Sequence, residues 1–235
     1  MIPLQETRFW KNYSRYNTIV EKSSMRSTLD AIIYWKFLNY YKFKNFLEIG
    51  VYQGLTTGLF FESNSNALVD AVDPIDNLSL FREIYADFVP QLNFINKNSR
   101  EVKYSKSYDF ILVDGDHSYE YVLADIQNIM QVADINTIIG FDDYKMSGVH
   151  SALHDFRKLY PDWVPFLEAE QTQFWHHRSD SRADFLDSLL IDNISKFVIL
   201  ENYNDKFDNI VCKARTISAL TDELDLFHQC LLRYN

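Results

Sequence analysis

Two short stretches crowd carboxylates in a way that calls for a proton or a cation. YDFILVDGDHSYE carries Asp114, Asp116 and His117, and NTIIGFDDY carries Asp142 and Asp143. Each acid group follows an apolar run of strand type. If the two runs are consecutive parallel strands, their carboxyl ends bring Asp114 beside Asp142 and Asp143, at the edge where open α/β sheets bind ligands. Three carboxylates that close repel one another unless a cation sits among them. An all-oxygen donor set selects a hard ion, Mg²⁺ first, with Mn²⁺ or Ca²⁺ as substitutes. The competing reading makes Asp142 and Asp143 exposed loop acids and has Asp116 cap the helix expected from Tyr119. His117 is a candidate base or ligand, although loop histidines more often only hydrogen-bond.

A second constellation rests on glycine. Only six glycines occur in 235 residues, all between Gly50 and Gly148, against a usual share of about 7%. Glycine is retained where backbone turns sharply or approaches another group closely. Gly50, Gly54 and Gly58 are spaced by four within NFLEIGVYQGLTTGLFF, which reads as a buried strand over 45–49, a turn, and a helix opened by Thr56 and Thr57. Such a turn aims backbone N–H groups and a helix N-terminus at a polar or anionic ligand, although this spacing alone often marks close packing. Asp73 ends the next apolar run, 25 residues beyond Glu48. In doubly wound folds an acid there accepts hydrogen bonds from ribose hydroxyls; the alternative is a cap for a helix starting near Asn77 or Leu78. The glycine turn before it favours ribose. A nicotinamide dinucleotide is opposed by Tyr52, which stands where the G-x-G-x-x-G fingerprint has its second glycine. It is also opposed by Glu48, whose carboxylate would repel a pyrophosphate. A carboxylate at Glu48 suits an ammonium group, as in the methionine part of S-adenosylmethionine.

The elements that must position these residues follow from periodicity. Apolar runs predict strands near 45–49, 67–72, 92–96, 108–113 and 137–141, and helices near 56–64, 78–88, 119–132 and 148–160. Leu29, Ile32, Ile33, Phe37, Tyr40 and Tyr41 recur at helical spacing after Ser27, so residues 28–42 are expected to form an amphipathic helix before the first strand. Regular alternation of strand and helix implies a parallel sheet covered on both faces. Residues 162–195 are aromatic, polar and irregular in pattern and read as an insertion. Runs at 197–200 and 209–212 suggest a hairpin, and residues 216–233 a C-terminal helix. His150 and His154, four apart on a predicted helix, form a weak ligand pair and read better as surface or packing residues. Phe174, Trp175, His176 and His177 either line an acceptor pocket or pack an irregular segment.

Composition narrows the class. With 47% hydrophobic, 24% charged and 16% aromatic residues, disorder and collagenous structure are excluded. Two cysteines, Cys212 and Cys230, are too few for a disulfide scaffold and fit a reducing compartment. The N-terminal stretch lacks a signal-peptide apolar core and no apolar run is long enough to span a bilayer, so a cytoplasmic protein without membrane partners is expected. A net charge of −10 opposes attraction to nucleic acid. The first 45 residues instead hold eight basic and three acidic residues, either a basic lid over an anionic ligand or the solvated faces of N-terminal helices.

The residues resemble the class I S-adenosylmethionine-dependent methyltransferases, and within them the metal-dependent branch that includes macrocin-type sugar O-methyltransferases. The likeness runs from about Asn45 to Tyr144. LEIGVYQG looks like the first motif, with Glu48 at its acidic position, Gly50 and Gly54 at its glycines and Tyr52 at a commonly small position. AVDP places Asp73 at the ribose carboxylate, and NSREV resembles the segment near the adenine, which marks Asn98 and Ser99. LVDGDHSYE and FDDY look like the paired acidic motifs. The resemblance implies Asp114, Asp142 and Asp143 as Mg²⁺ (or Mn²⁺) ligands, with Asp114 also bordering the cofactor, and Asp116 at the position of the general base, for which His117 is the alternative. The implied fold is α/β, a Rossmann-like doubly wound sheet, mostly parallel with a C-terminal antiparallel hairpin and helices on both faces. It forms one domain, with residues 1–44 as a helical lid, 45–161 as the cofactor-binding core, 162–195 inserted and 196–235 closing it. The implied activity is O-methylation of a small acceptor, a sugar, nucleotide sugar or other vicinal diol. The alternatives are a metal-independent methyltransferase and a catalytically silent cofactor-binding protein. A homo-oligomer is compatible with the aromatic segment.

Overall fold

The computed structural model describes residues 4–12, 15, 28–169, 171–180, 198–199 and 213–214. Its strands are β1 (Asn45–Ile49), β2 (Leu68–Val72), β3 (Leu92–Ile95), β4 (Phe110–Val113), β5 (Ile138–Phe141), β6 (Trp163–Glu168), β7 (Gln173–His177), β8 (Val198–Ile199) and β9 (Lys213–Ala214). The helices are α1 (Arg8–Lys11), α2 (Thr28–Tyr41), α3 (Leu55–Ser63), α4 (Ser79–Ile84), α5 (Tyr119–Ile129) and α6 (Ser147–Leu159). The described strands form one sheet in the order β3-β2-β1-β4-β5-β7-β6-β8-β9. The first five are mutually parallel, and the order reverses between β1 and β4, which opens the ligand crevice of a doubly wound sheet at their carboxyl ends.

Register sets that edge. Ile49 lies opposite both Val72 and Val113, and Val113 opposite Phe141. The ladder continues one residue further: Gly50 N–H donates to Val72 O (2.9 Å), Asp114 N–H to Ile49 O (2.7 Å), Asp142 N–H to Val113 O (3.0 Å) and Asp73 N–H to Ile95 O (3.2 Å). Gly50, Asp73, Asp114 and Asp142 therefore stand in one row along the sheet edge.

Both faces are packed. On one face Phe37 of α2 and Phe60 of α3 meet Phe46, Phe110 and Phe174 of the sheet, with Phe46 stacked between Phe60 (4.3 Å) and Phe110 (5.1 Å). On the other, Ile126 of α5 and Val149 and Phe156 of α6 cover Val113, Phe141 and Trp175. Each fully buried phenylalanine contributes about 2 kcal/mol of apolar transfer energy. α2 differs from the amphipathic helix expected. Ile33, Tyr34, Trp35, Phe37, Leu38 and Asn39 are all buried while Tyr40 is exposed, because the helix is enclosed on nearly every side rather than lying half in water. α4 is shorter than the 78–88 expected: the chain leaves it at Tyr85 and closes a 3₁₀ turn at Val89–Gln91 with Pro90 inside.

The region read as an irregular insertion contains the hairpin β6–β7. β7 pairs antiparallel with β5, Phe141 opposite Gln173, and extends the sheet. The β6–β7 register shifts between Pro165 and Leu167, since proline has no N–H to give the ladder; that break hides the period of a strand. β8 pairs antiparallel with β6, and β9 with β8, in keeping with an antiparallel C-terminal pair. Of the expected hairpin, 209–212 lies outside the described residues, as do the helix at 216–233, Cys212 and Cys230.

Arg8, Phe9 and Arg15 are anchored to α3 and to the region of α4. The Glu62 carboxylate accepts the N–H groups of Arg8 (2.5 Å) and Phe9 (3.0 Å). Glu62 lies seven residues along α3 from Leu55, about 10 Å at helical rise, and Phe9 is fully buried. Arg8 forms a two-bond pair with Asp87, and Arg15 with Glu83. These two basic residues serve as braces to the region of α4, not as part of a lid at the cavity. No helix among the described residues is long and apolar enough to cross a membrane.

Candidate active site

A cavity of about 320 Å³ opens at the reversal between β1 and β4. Of the residues expected to hold a cofactor, Glu48, Gly50, Tyr52, Asp73, Asn98, Ser99 and Asp114 line it, as does Asp116. Gly50 has φ +82°, and a Cβ there would fall 2.0 Å from the Asp114 carbonyl oxygen, so β1 and β4 can close on each other only over glycine. Gly54 is not among the lining residues. It is the N-cap of α3, and its missing Cβ makes room for Leu78 and Phe81.

Asp73 braces the glycine loop. Its Oδ2 accepts the N–H groups of Val51 and Tyr52, each at 3.0 Å, and its Oδ1 that of Ile75 at 2.8 Å. The helix that follows is served by Asp76, which accepts from Leu78 N–H, so the capping alternative for Asp73 fails. Tyr52 has φ +48°, a left-handed conformation costing a non-glycine residue about 1–2 kcal/mol, at the very position where the dinucleotide fingerprint uses glycine. Its bond to Asp73 holds it there.

Glu48 is buried on the cavity wall, where its carboxylate accepts from the Thr57 hydroxyl. Burial pushes its pKa up to about 8, with the Thr57 bond opposing and the Asp73 charge adding to the rise. At neutral pH it is mostly protonated, and an arriving ammonium group would draw out the proton. Across the cavity Asn98 opens a 3₁₀ turn by accepting Arg100 N–H (3.1 Å), and the Ser99 side chain bonds to Asp125, whose pKa burial raises to about 6. Arg100 lies 3.0 Å over the ring of Tyr121, which also lines the cavity.

The acid cluster stands beside this cavity. Asp142 is almost fully buried, and its pKa is raised well above the ordinary range, first by burial and then by the Asp114 charge. Its Oδ1 accepts from Thr172 (2.6 Å), while its Oδ2 is buried without a hydrogen-bond partner. Asp143, with φ +48°, turns to His117: His117 Nδ1 is 3.5 Å from Asp143 Oδ2, and its Nε2 is 3.7 Å from Asp114 Oδ1. Among the described residues no three His, Cys, Asp or Glu side chains are grouped so as to hold a metal ion. The expected three-carboxylate set is thus corrected to a close pair, Asp114 and Asp142, with Asp143 directed at the histidine. The pair suits a hard cation in its chemistry, since a bare buried carboxylate oxygen beside a second carboxylate needs positive charge or a proton.

Asp116 is exposed and accepts Ser118 N–H (2.8 Å) at the entry to α5. Ser118 holds its pKa below the ordinary value, with weaker help from His117 and Arg100, which makes it a poor base. Phe174 and Trp175 are fully buried in the core and line no acceptor pocket. His150 and His154 are exposed, His154 beside Asp155, and neither belongs to a group of three or more possible metal-holding side chains among the described residues.

Residues 47–144 match the family described as "Methyltransferase domain". The match begins in β1 and ends one residue beyond Asp143, so it spans both the cavity and the acid cluster. The segment is similar to that family over 98 of the 235 residues of the chain. Solved structures of similar fold include a provisionally assigned caffeoyl-CoA O-methyltransferase from Staphylococcus aureus, 13% identical, with TM-score 0.59 over 74% of this chain and 93% of that one. An O-methyltransferase from Bacillus cereus in complex with S-adenosylhomocysteine is also 13% identical, with TM-score 0.57 over 74% of this chain and 91% of that one. At such identity the likeness is one of fold. No curated protein sequence matches the chain.

Two residues of the site, Tyr121 and Thr172, carried no readable motif, because each reaches the site only through tertiary packing. Thr57 had a signal, since it lies in the first turn of the helix that follows the strand carrying Glu48.

Proposed function

We propose that the protein methylates a hydroxyl oxygen of a small acceptor with two neighbouring oxygens, a sugar, nucleotide sugar or other vicinal diol, in the cytoplasm and without nucleic acid. Asp114 and Asp142 would hold a divalent cation, Mg²⁺ or Mn²⁺. The observation that carries this reading is the buried Asp114/Asp142 pair with its partnerless Oδ2, placed one strand from the cofactor cavity.

S-adenosylmethionine supplies an electrophilic methyl group on a sulfonium. The cation, when bound, supplies Lewis-acid polarisation that lowers the pKa of the acceptor hydroxyl. The chain's own residues do the rest. Glu48 receives the ammonium of the cofactor and Asp73 keeps the loop shaped around its ribose. His117 takes the hydroxyl proton, and the carboxylates of Asp114 and Asp143 on its two sides stabilise the imidazolium that forms. Asp116 fixes the start of α5, and with it the turn that carries His117. Holding acceptor oxygen and methyl group in line supplies much of the remaining acceleration.

A second reading is favoured by the absence of a three-ligand group among the described residues: Asp114 and Asp142 share a proton, and methyl transfer proceeds without metal. One experiment separates the two. Methyl transfer from S-adenosylmethionine to a panel of catechols and sugar diols is measured with Mg²⁺ and with excess chelator. Loss of about 100-fold or more in chelator supports the cation, and full turnover in chelator leaves only the shared proton. Failure to bind S-adenosylhomocysteine in calorimetry would overturn both.

A further inference from the structure

We infer that Thr172 and Tyr34 are positioning residues for the acid pair: their hydroxyls fix one oxygen of Asp142 and so orient the other, with which Asp142 and Asp114 would hold a cation. The inference rests on the cation reading above. Tyr34, Thr172 and Asp142 are all buried and come from three distant segments, α2, the β6–β7 turn and the end of β5. Thr172 Oγ donates to Asp142 Oδ1 at 2.6 Å, and the Tyr34 hydroxyl lies 2.8 Å from the same Oγ. A hydroxyl has one hydrogen. With that of Thr172 given to Asp142, the Tyr34–Thr172 contact uses the hydrogen of Tyr34, and the chain runs from Tyr34 through Thr172 to Asp142 Oδ1.

Backbone register holds the donor in place. Phe141 faces Gln173 across the antiparallel β5–β7 ladder, so the next residue of β5 meets the residue before Gln173. Ala169 N–H closes the turn on Thr172 O (2.9 Å), and Tyr144 N–H reaches Gln171 O (3.3 Å), which ties the acid loop to the same turn. A carboxylate with one oxygen occupied by an oriented donor keeps the other oxygen in one direction, the role that outer hydrogen bonds play around metal ligands.

The test uses Mn²⁺ binding to the full-length protein in the presence of S-adenosylhomocysteine, followed by the electron paramagnetic resonance of free Mn²⁺. Thr172→Val is expected to weaken Mn²⁺ binding about 10- to 100-fold, Thr172→Ser to restore it to within about threefold, and Tyr34→Phe to weaken it by about three- to tenfold. S-adenosylhomocysteine affinity stays within about twofold in all three. Unchanged Mn²⁺ affinity in Thr172→Val overturns the inference alone. Loss of both ligands without rescue by serine makes Thr172 a general fold residue and also overturns it. If Thr172→Val does not fold, Tyr34→Phe decides, and unchanged Mn²⁺ affinity there is the overturning result. An unaltered protein that binds S-adenosylhomocysteine but no Mn²⁺ removes the cation reading and this inference together.

Discussion

On the β1–β2 side of the crevice, hydrogen-bond donors converge on the carboxylates. Asp73 receives three backbone N–H groups and Glu48 a buried hydroxyl. On the β4–β5 side, Asp142 keeps an oxygen bare and faces a second carboxylate. The first side is shaped before any ligand arrives and only has to admit one. The second is incomplete, because a buried acid pair is tolerable only with a proton or a cation between its members. The β1–β2 half is therefore saturated with donors, whereas the β4–β5 half carries a deficit of donors at Asp142.

The variant that breaks both halves at once is Gly50→Ala. A Cβ 2.0 Å from the Asp114 carbonyl oxygen, at a φ that side chains avoid, forces β1 and β4 apart just where the cavity and the acid row meet. The expected cost is on the order of 4 kcal/mol, seen as a large fall in the thermal midpoint together with loss of S-adenosylhomocysteine binding. A midpoint within a few degrees of the parent would mean that the strands close differently.

Asp73→Asn separates the halves. The amide keeps one acceptor oxygen, but its NH₂ group or its lost charge leaves Val51 or Tyr52 N–H poorly met. About 2 kcal/mol of stability is expected to go, with cofactor affinity down some 30- to 100-fold, while Mn²⁺ affinity at Asp114 and Asp142 is unchanged. A parallel fall in Mn²⁺ affinity would join the two sides into one cooperative site and end the comparison.

The saturated half was also the readable one. Glu48, Gly50 and Asp73 belong to a strand–turn–helix unit whose signals lie within a few residues of one another, and β1 falls where its apolar run predicts. The deficit half depends on register between distant segments. Thr172 is 30 residues from Asp142, and Tyr34 is 138 from Thr172; both contacts exist only because β7 adds to β5. That strand was unreadable because Pro165 breaks the period of its partner β6. Tyr34 was unremarkable in sequence as one of many aromatics in a helix enclosed on nearly all sides.

Glu48 provides a smaller and more graded test of the saturated half. Its folded pKa of about 8 lies above the ordinary 4.5, so the folded state holds this proton more tightly than the unfolded state. The associated stability is fully present below about pH 4.5 and is lost as pH rises to about 8. Glu48→Gln should flatten that fall in apo thermal midpoints between pH 5 and 9. Binding of an ammonium-bearing ligand at pH 7 should release nearly one proton, read from calorimetry in buffers of different ionisation enthalpy, and at pH 9 release almost none. Equal release in Glu48→Gln would assign the proton elsewhere.

The smallest effect is expected at Arg8. The basic N-terminal stretch invited a lid over an anionic ligand, but Arg8 pairs with Asp87 with both side chains about half exposed, and its guanidinium also lies 5.2 Å over the ring of Phe88. Exposed pairs of this kind contribute about 0–1 kcal/mol, weakened further by salt. The burial of Phe9 and the Glu62 carboxylate at the backbone N–H groups of Arg8 and Phe9 survive when the side chain is truncated. Arg8→Ala should therefore lower stability by no more than about 1 kcal/mol and leave S-adenosylhomocysteine affinity within about twofold. A tenfold loss of affinity would instead mean that the positive charge acts at the cavity, and the segment would then belong to the β1–β2 half rather than to its foundation.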